Sequence, residues 1–256
     1  MVDMEISDEK IGTFAMLRNT LVNLEATRCG LKLLSDLLLC DEPPSANSKF
    51  LQNTSDATSN AQEQEGTNPS SNPNYIWKNL QYLNLRDNNI TVIDRSVNLA
   101  PQIKTLLLSE NSLKTIENLE GLSNLSVLEL SDNKMETIDA LHTKLGQITR
   151  LDLANNKVRS LSGCSKLYSL VNLNVSCNKI CDMDNVLPVS NLPCLESLNL
   201  QGNHVTTVVD YRLKVFESFG KKCSDLCLGM LKLLYQNLVN FINTALVKKF
   251  PKKLDN

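Results

Sequence analysis

The sequence is poor in aromatic residues and histidine and has no long apolar run. Aromatic residues make up 5% of the 256 positions, and there are two histidines. A membrane-spanning helix needs about 18 or more consecutive apolar residues, so we expect no transmembrane span. The first ten residues, MVDMEISDEK, contain no apolar core region, so we also expect no secretory signal peptide.

Charge and motifs argue against several kinds of chemistry. The net charge is −2, which provides no broad basic field for phosphate backbones, so we predict no nucleic acid partner. His142 and His204 lie far apart in the chain, and no Ser-His-Asp arrangement can be built around either. No glycine-rich phosphate loop is present. We therefore predict no catalytic residue, no cofactor and no enzyme activity.

The eight cysteines do not form a disulfide framework in sequence. Four of them lie within the repeats described below, and no C-x-x-C pair occurs. Cys177 and Cys181, like Cys223 and Cys227, are four residues apart, but zinc would need further cysteine or histidine ligands nearby. We interpret all eight as reduced thiols of a cytoplasmic protein without a metal site.

One phrase, L-x-x-L-x-L-x-x-N-x-I, occurs six times between Leu80 and Val205. Its asparagines recur every 22 to 25 residues: Asn88, Asn111, Asn133, Asn156, Asn178 and Asn203. Such a period is typical of a leucine-rich repeat solenoid. We predict an α/β repeat solenoid with a parallel concave sheet, a convex side of short 3₁₀ or helical pieces, and a helical C-terminal cap.

The repeated asparagines have a structural explanation. Each follows a strand, where the backbone turns and leaves amides without a partner in the sheet. A buried asparagine side chain can pair with backbone groups of its own coil and of the next coil, forming an asparagine ladder. We therefore assign all six asparagines a structural role rather than a binding role.

A degenerate seventh copy lies upstream of the six repeats. Leu21, Leu24, Ala26 and Leu31 fit the pattern, and Cys29 takes the asparagine place. We predict that residues 1–40 comprise this copy and a preceding cap helix over 6–18. The alternative is an unrelated hydrophobic helix over 20–39.

The remaining segments divide by composition. Residues 41–74 are rich in Ser, Asn, Pro, Thr and Gln, which predicts a disordered insertion before the repeats of 75–208. Residues 209–228 suit a helical cap over the last coil. Residues 229–256 have the pattern of an amphipathic helix with a basic end; packing on the cap and contact with a membrane surface are both possible readings.

The concave face is where the pattern predicts binding. Alternation along a strand exposes the third, fifth and seventh places of each repeat. In the middle repeats these places combine apolar and charged residues, as in an interface centre with a polar rim. The predicted partner-binding residues are Tyr82, Arg86, Leu107, Val127, Glu129, Arg150 and Asp152.

From about Leu17 to Leu228 the chain resembles the nischarin-like family of imidazoline-receptor-like scaffolds. The phrases that carry the resemblance are SVNLAPQIKTLLLSEN, LHTKLGQITRLDLANN, KLYSLVNLNV, NLPCLESLNLQGN and VVDYRLKVFESFG. Members of the family in animals begin with a phosphoinositide-binding PX domain, and nothing in this sequence resembles one.

The resemblance implies a signalling scaffold of the cytoplasm, with endosomal association through its partners. Nischarin-like proteins bind integrin cytoplasmic tails, Rac-type GTPases and p21-activated kinase, and they restrain cell migration. No residue of this chain can be assigned to any of those partners. The alternative is a regulatory subunit of a protein phosphatase, because 22-residue repeats also resemble those of a phosphatase 1 regulator.

Overall fold

The computed structural model describes residues 17–38, 76–139, 141 and 145–219. Within them, seven short parallel strands form one sheet in chain order, each pairing with the next. The fold is therefore a leucine-rich repeat domain, and the predicted fold class is confirmed. The strands are β1 (Asn23–Glu25), β2 (Tyr82–Asn84), β3 (Thr105–Leu107), β4 (Val127–Glu129), β5 (Arg150–Asp152), β6 (Asn172–Asn174) and β7 (Ser197–Asn199).

Each strand occupies the third to fifth places of its repeat, and its central residue points into the core. From β2 to β7 these central leucines are in register and at most 1% exposed: Leu83, Leu106, Leu128, Leu151, Leu173 and Leu198. Burying one leucine contributes about 1.5–3 kcal/mol relative to leaving it exposed. Because every coil adds the same residues at the same places, the core runs as one cluster along the array.

The degenerate upstream copy forms a coil of the solenoid. β1 pairs with β2, Leu24 aligns with Leu83, and the N–H of Ala26 donates to the carbonyl of Asn84 at 2.8 Å. The alternative of one helix over 20–39 is therefore wrong. The helix here is only α1 (Ser35–Leu38).

Trp77 secures this first coil, a role that the sequence pattern does not reveal. The indole is fully buried, and its Nε1 donates to the carbonyl of Leu38 at 3.3 Å. The guanidinium of Arg18 donates to the same carbonyl at 3.3 Å and lies 5.9 Å from the Trp77 ring centroid. A cation over an aromatic ring adds electrostatic attraction to the packing.

The convex side consists of short turns, as the 22-residue period predicts. The described 3₁₀ helices are Arg95–Leu99, Ser162–Cys164, Met183–Asn185, Leu187–Val189 and His204–Thr207. Gly163 lies in one of them, directly against the backbone carbonyl of Ile138 in the preceding coil. A Cβ at Gly163 would overlap that carbonyl, so the two coils approach too closely there for any other residue.

The last coil is covered by helix α2 (Tyr211–Phe219). Val215 and Phe219 are buried against the core, and Tyr211 is half-buried beside them. Val208 precedes the helix and is exposed. Burial raises the pKa of the Tyr211 hydroxyl, and the neighbouring Arg212 partly offsets that rise.

Several predicted segments lie outside the described residues. These are the helix over 6–18 up to residue 16, the insertion over 41–74, the cap beyond Phe219 and the tail over 229–256, together with His142. In the part of the chain that is described, no helix is long and apolar enough to cross a bilayer.

Candidate functional site

The solvent side of the sheet, which we call the sheet face, holds the residues that the pattern assigns to binding. Its fifth-place residues align across the strands, with Asn84 beside Leu107, Leu107 beside Glu129, and Glu129 beside Asp152. Neighbouring strands lie about 4.8 Å apart. Side chains from several coils therefore lie side by side here, and their contacts define the candidate site.

An ion network occupies the centre of the sheet face. One carboxylate oxygen of Glu129 pairs with the guanidinium of Arg86, and the other lies 3.3 Å from Nη2 of Arg150. The Glu129 side chain is 13% exposed, whereas those of Arg86 and Arg150 are 42% and 55% exposed. Three coils thus meet at one shielded carboxylate, and the cluster carries a net charge of one positive unit.

The predicted exposure of Leu107 is wrong. Leu107 is 7% exposed, although it lies outside the main core cluster. It stands on β3, and the pair of Arg86 from the β2 coil with Glu129 of β4 spans that strand. Long charged side chains cover apolar surface in this way with their stems and planar heads. Leu107 is therefore covered and is not available to a partner.

Asp152 accepts hydrogen bonds from its own coil and from the next coil. Its Oδ1 accepts the N–H of Ala154 at 3.0 Å, and its Oδ2 accepts Nδ2 of Asn174 at 3.0 Å. Asn84, Asn174 and Asn199 accept the N–H two residues ahead in the same manner. Such local bonds favour a turn where the strand ends. Asp152 thus has a structural role that the sequence analysis missed, although Asp or Asn at four equivalent places was a visible signal.

Tyr82 and Val127 flank the ion network as half-buried apolar surface. They occupy the third places of their repeats, at the start of β2 and β4, and align through Thr105 of β3. Two strand spacings separate them, which is about 10 Å. Val127 also aligns with Arg150 on β5. The accessible part of the predicted site is therefore Tyr82, Arg86, Val127 and Arg150, with Glu129 between the two arginines.

The six asparagines at the strand ends form a continuous hydrogen-bonded row. Asn133 is typical: its Nδ2 donates to the carbonyls of Leu108 and Leu130 at 2.9 and 3.1 Å, and its Oδ1 accepts the N–H of Leu113 at 2.9 Å. Leu108 and Leu113 belong to the preceding coil. The side chain thus links its own coil to the one before it and not to the next, contrary to the expectation.

The other five asparagines repeat this geometry. All six are between 2% and 8% exposed. Their bonds to the preceding coil are equivalent in every case. At the first coil, the place is held by Cys29, whose own N–H donates to Oδ1 of Asn88 at 3.0 Å. The ladder begins, therefore, at Asn88.

The residue before each ladder position has a left-handed backbone, which the sequence analysis did not predict. Its φ lies between +54° and +75° in all seven coils. Asp, Asn and Gly enter this region most easily, so their frequency at this place was an available signal. The seven residues are Arg28, Asp87, Glu110, Asp132, Asn155, Cys177 and Gly202.

Candidate catalytic and metal-binding groups do not converge in the described residues. No group of three His, Cys, Asp or Glu side chains there could hold a metal ion. Cys177, Cys181 and Cys194 are exposed thiols. Cys164 is buried on the convex side, where desolvation raises the pKa of its thiol to about 12. It remains a protonated core residue at neutral pH.

One family model matches part of the repeat array. The leucine rich repeat family model matches residues 78–135. An internalin (inlF) from Listeria monocytogenes str. 4b F2365 is 25% identical, with 49% of this chain and 36% of the internalin covered, and a TM-score of 0.45. Internalin C2 (inlC2) from the same strain is 30% identical, with 51% and 65% covered, and a TM-score of 0.43.

A third similar structure is the complex of TLR13 with ssRNA13. Its TLR13 chain is 32% identical, with 48% of this chain and 18% of that chain covered, and a TM-score of 0.45. The alignments thus span between 18% and 65% of the length of these three proteins. Leucine-rich repeat proteins generally mediate protein–protein interaction.

Proposed function

We propose that this chain is an intracellular, non-enzymatic scaffold that binds a protein partner on its sheet face. The observation that supports this best is the Arg86–Glu129–Arg150 network. Two half-exposed guanidiniums share one shielded carboxylate, so together they have more N–H donors than that carboxylate can accept. Arginine and tyrosine are enriched among the residues that dominate interface energies, and both occur here beside Val127.

The network is also organised in advance of binding. Glu129 holds both arginine side chains, which reduces the rotamer freedom that binding would otherwise remove. A partner carboxylate facing this cluster would form charge-assisted hydrogen bonds in a partly desolvated setting. Tyr82 and Val127 would supply apolar contact on either side.

For the partner we propose the nischarin-like set: an integrin cytoplasmic tail, a Rac-type GTPase or p21-activated kinase, with restraint of cell migration as the outcome. The support is the resemblance of the quoted phrases. Cytoplasmic location, with endosomal association through partners, belongs to the same proposal. The alternative remains regulation of a protein phosphatase, which the repeat length alone favours.

Direct binding assays with purified candidates test the proposal. The immobilised chain is offered an integrin tail, a Rac-type GTPase, p21-activated kinase and a phosphatase 1 catalytic subunit in parallel. We expect one of the first three to bind and the phosphatase not to bind. Binding of the phosphatase alone would favour the alternative.

Variants then locate the surface. Val127→Ser with Arg150→Glu is expected to weaken binding by about 2 kcal/mol or more, because central contacts dominate interfaces. Lys166→Glu, an equal charge change on an exposed residue after the convex turn Ser162–Cys164, is the matched control. Leu107 is not mutated, since its burial would confound folding with binding. If Lys166→Glu abolishes binding and the double variant does not, the sheet face is not the site.

A further inference from the structure

A second surface lies beside the strand ends, at the residue after each ladder asparagine. Lys134, Lys157 and Lys179 hold this place in three consecutive coils, and all three are exposed. Their backbone N–H groups donate to equivalent carbonyls of the preceding coil, those of Leu113, Met135 and Val158, at 2.8 to 2.9 Å. The three lysines, which we call the lysine row, are thus stacked at the coil spacing of about 4.8 Å.

Such stacking of like charges is unfavourable unless it is compensated. Nζ of Lys134 donates to the hydroxyl of Ser112 at 3.0 Å, which is a neutral partner. Lys157 lies 3.7 Å from the carboxylate of Glu136, with both side chains about half exposed. Within the described residues, Lys179 forms no ion pair. The row therefore keeps most of its positive charge.

The neighbouring residues modify this charge pattern. Two places further along each coil of the row lie Glu136, Arg159 and Cys181, and all three are exposed. The left-handed places of the β2, β3 and β4 coils are acidic, at Asp87, Glu110 and Asp132, with Asp87 paired to Arg28 at 2.6 Å and Asp132 in the same coil as Lys134. The edge of the solenoid is thus mixed at the Lys134 coil and basic at the coils of Lys157 and Lys179.

We propose that the lysine row binds an extended acidic segment of a protein partner. A strand-like segment places every second side chain on one face, about 6.8 Å apart. Flexible lysine side chains on a 4.8 Å spacing can reach carboxylates at that interval. Glu110 before the row, together with Asp132 and Glu136 around Lys134, repels the same segment, so it lies mainly over the coils of Lys157 and Lys179. This surface is separate from the sheet face and does not depend on the partner proposed for it.

A protein segment fits this surface better than a broad polyanion. The row is one side chain wide, and the net charge of the whole chain is −2. A membrane surface or a nucleic acid would meet the acidic coils at the same time as the lysines. Long-range steering by such a local field depends on ionic strength.

The test measures fluorescence anisotropy of a labelled peptide of alternating glutamate and serine. The full chain is compared with the variant Lys134→Glu, Lys157→Glu, Lys179→Glu. The matched control is Lys78→Glu, Lys104→Glu, Lys166→Glu, which changes the net charge equally at exposed lysines away from the row. We expect the row variant to bind about tenfold more weakly and the control to bind nearly as the parent does.

Circular dichroism must show that both triple variants fold. If the row variant unfolds, the single variant Lys179→Glu is compared with the parent for peptide binding instead. If both triple variants weakened peptide binding equally, net charge alone would explain the effect and the proposal would be overturned. Absence of peptide binding to the parent chain would overturn it as well. Stronger binding of a single-stranded oligonucleotide or of vesicles containing phosphatidylserine would also overturn it.

Discussion

Single residues in this solenoid divide into those that join coils and those that face solvent. The ladder asparagines join coils, because each one satisfies backbone groups of two successive coils. The arginines of the sheet face are held by Glu129 but remain half exposed. Replacing a ladder asparagine should therefore lower stability, whereas replacing a sheet-face arginine should weaken binding.

Replacing Asn133 with Ala should lower the free energy of unfolding by about 1–3 kcal/mol, because the buried N–H of Leu113 and the carbonyl of Leu108 would lose their partner. The urea midpoint measures the change. Asn172→Ala is the control, since that asparagine is exposed on a strand. An unchanged midpoint for Asn133→Ala would show that water replaces the ladder bonds.

Cys164 should make stability depend on alkaline pH. Burial raises the pKa of its thiol from 9.0 to about 12 in the folded chain. The unfolded chain loses this proton above pH 9 while the folded chain retains it. The stabilisation is therefore complete below pH 9 and is lost as the pH rises toward 12, by up to about 1.4 kcal/mol per pH unit.

The difference in unfolding free energy between the parent and Cys164→Ala measures this effect, because lysine and tyrosine titrations cancel in it. We expect the difference to be constant from about pH 7 to 8.5 and to fall above that range. A flat difference up to about pH 10.5 would mean that the thiol also titrates in the folded chain.

Between the elements, the contact of Gly163 with Ile138 sets how closely two convex turns approach. Gly163→Ala would push Cβ into the Ile138 carbonyl, and the coils would have to separate. We expect a loss of about 1–3 kcal/mol, as for other overpacked sites. Thermal unfolding measures it. Gly146→Ala is the control, because a Cβ there meets nothing within 4 Å, and it should be neutral or slightly stabilising.

Strand positions were predictable from the sequence because each repeat reproduces the same alternation. The apolar residues at the first, fourth and sixth places are buried, as the alternation predicts, and the degenerate copy around Leu24 pairs as a strand. The sheet-face site was predictable only in outline. Alternation says that Leu107 faces away from the core, but its burial depends on Arg86 reaching across a strand to Glu129. The repeat period does not predict which long side chains meet across the strands.

The array as a unit is one continuous core that must be closed at both ends. Arg18 and Trp77 pack at the first coil, and α2 covers the last. Each coil contacts mainly its neighbours, so stability is distributed as a chain of local interfaces. A defect at one end should therefore loosen that end first.

Val215→Asp tests this distribution. A carboxylate at this fully buried position should detach α2, at a cost of about 3 kcal/mol or more. Amide exchange should then accelerate in β7 and in His204–Thr207 while β2 and β3 keep their protection. Leu213→Asp, on the exposed side of α2, should leave exchange unchanged. Uniform acceleration across all strands would mean that the array unfolds as a single unit.

The left-handed residue at each strand exit has a consequence for how much change the chain tolerates. Arg28, Glu110 and Cys177 occupy this conformation although glycine, asparagine or aspartate would adopt it with less strain. Each such residue forgoes about 1 kcal/mol. Less strained residues at these three positions would therefore raise the free energy of unfolding. Asparagine at Arg28, Glu110 and Cys177 would offset the destabilisation of one or two substitutions elsewhere. These three substitutions are therefore a natural first step before new surfaces are evolved or engineered on this scaffold.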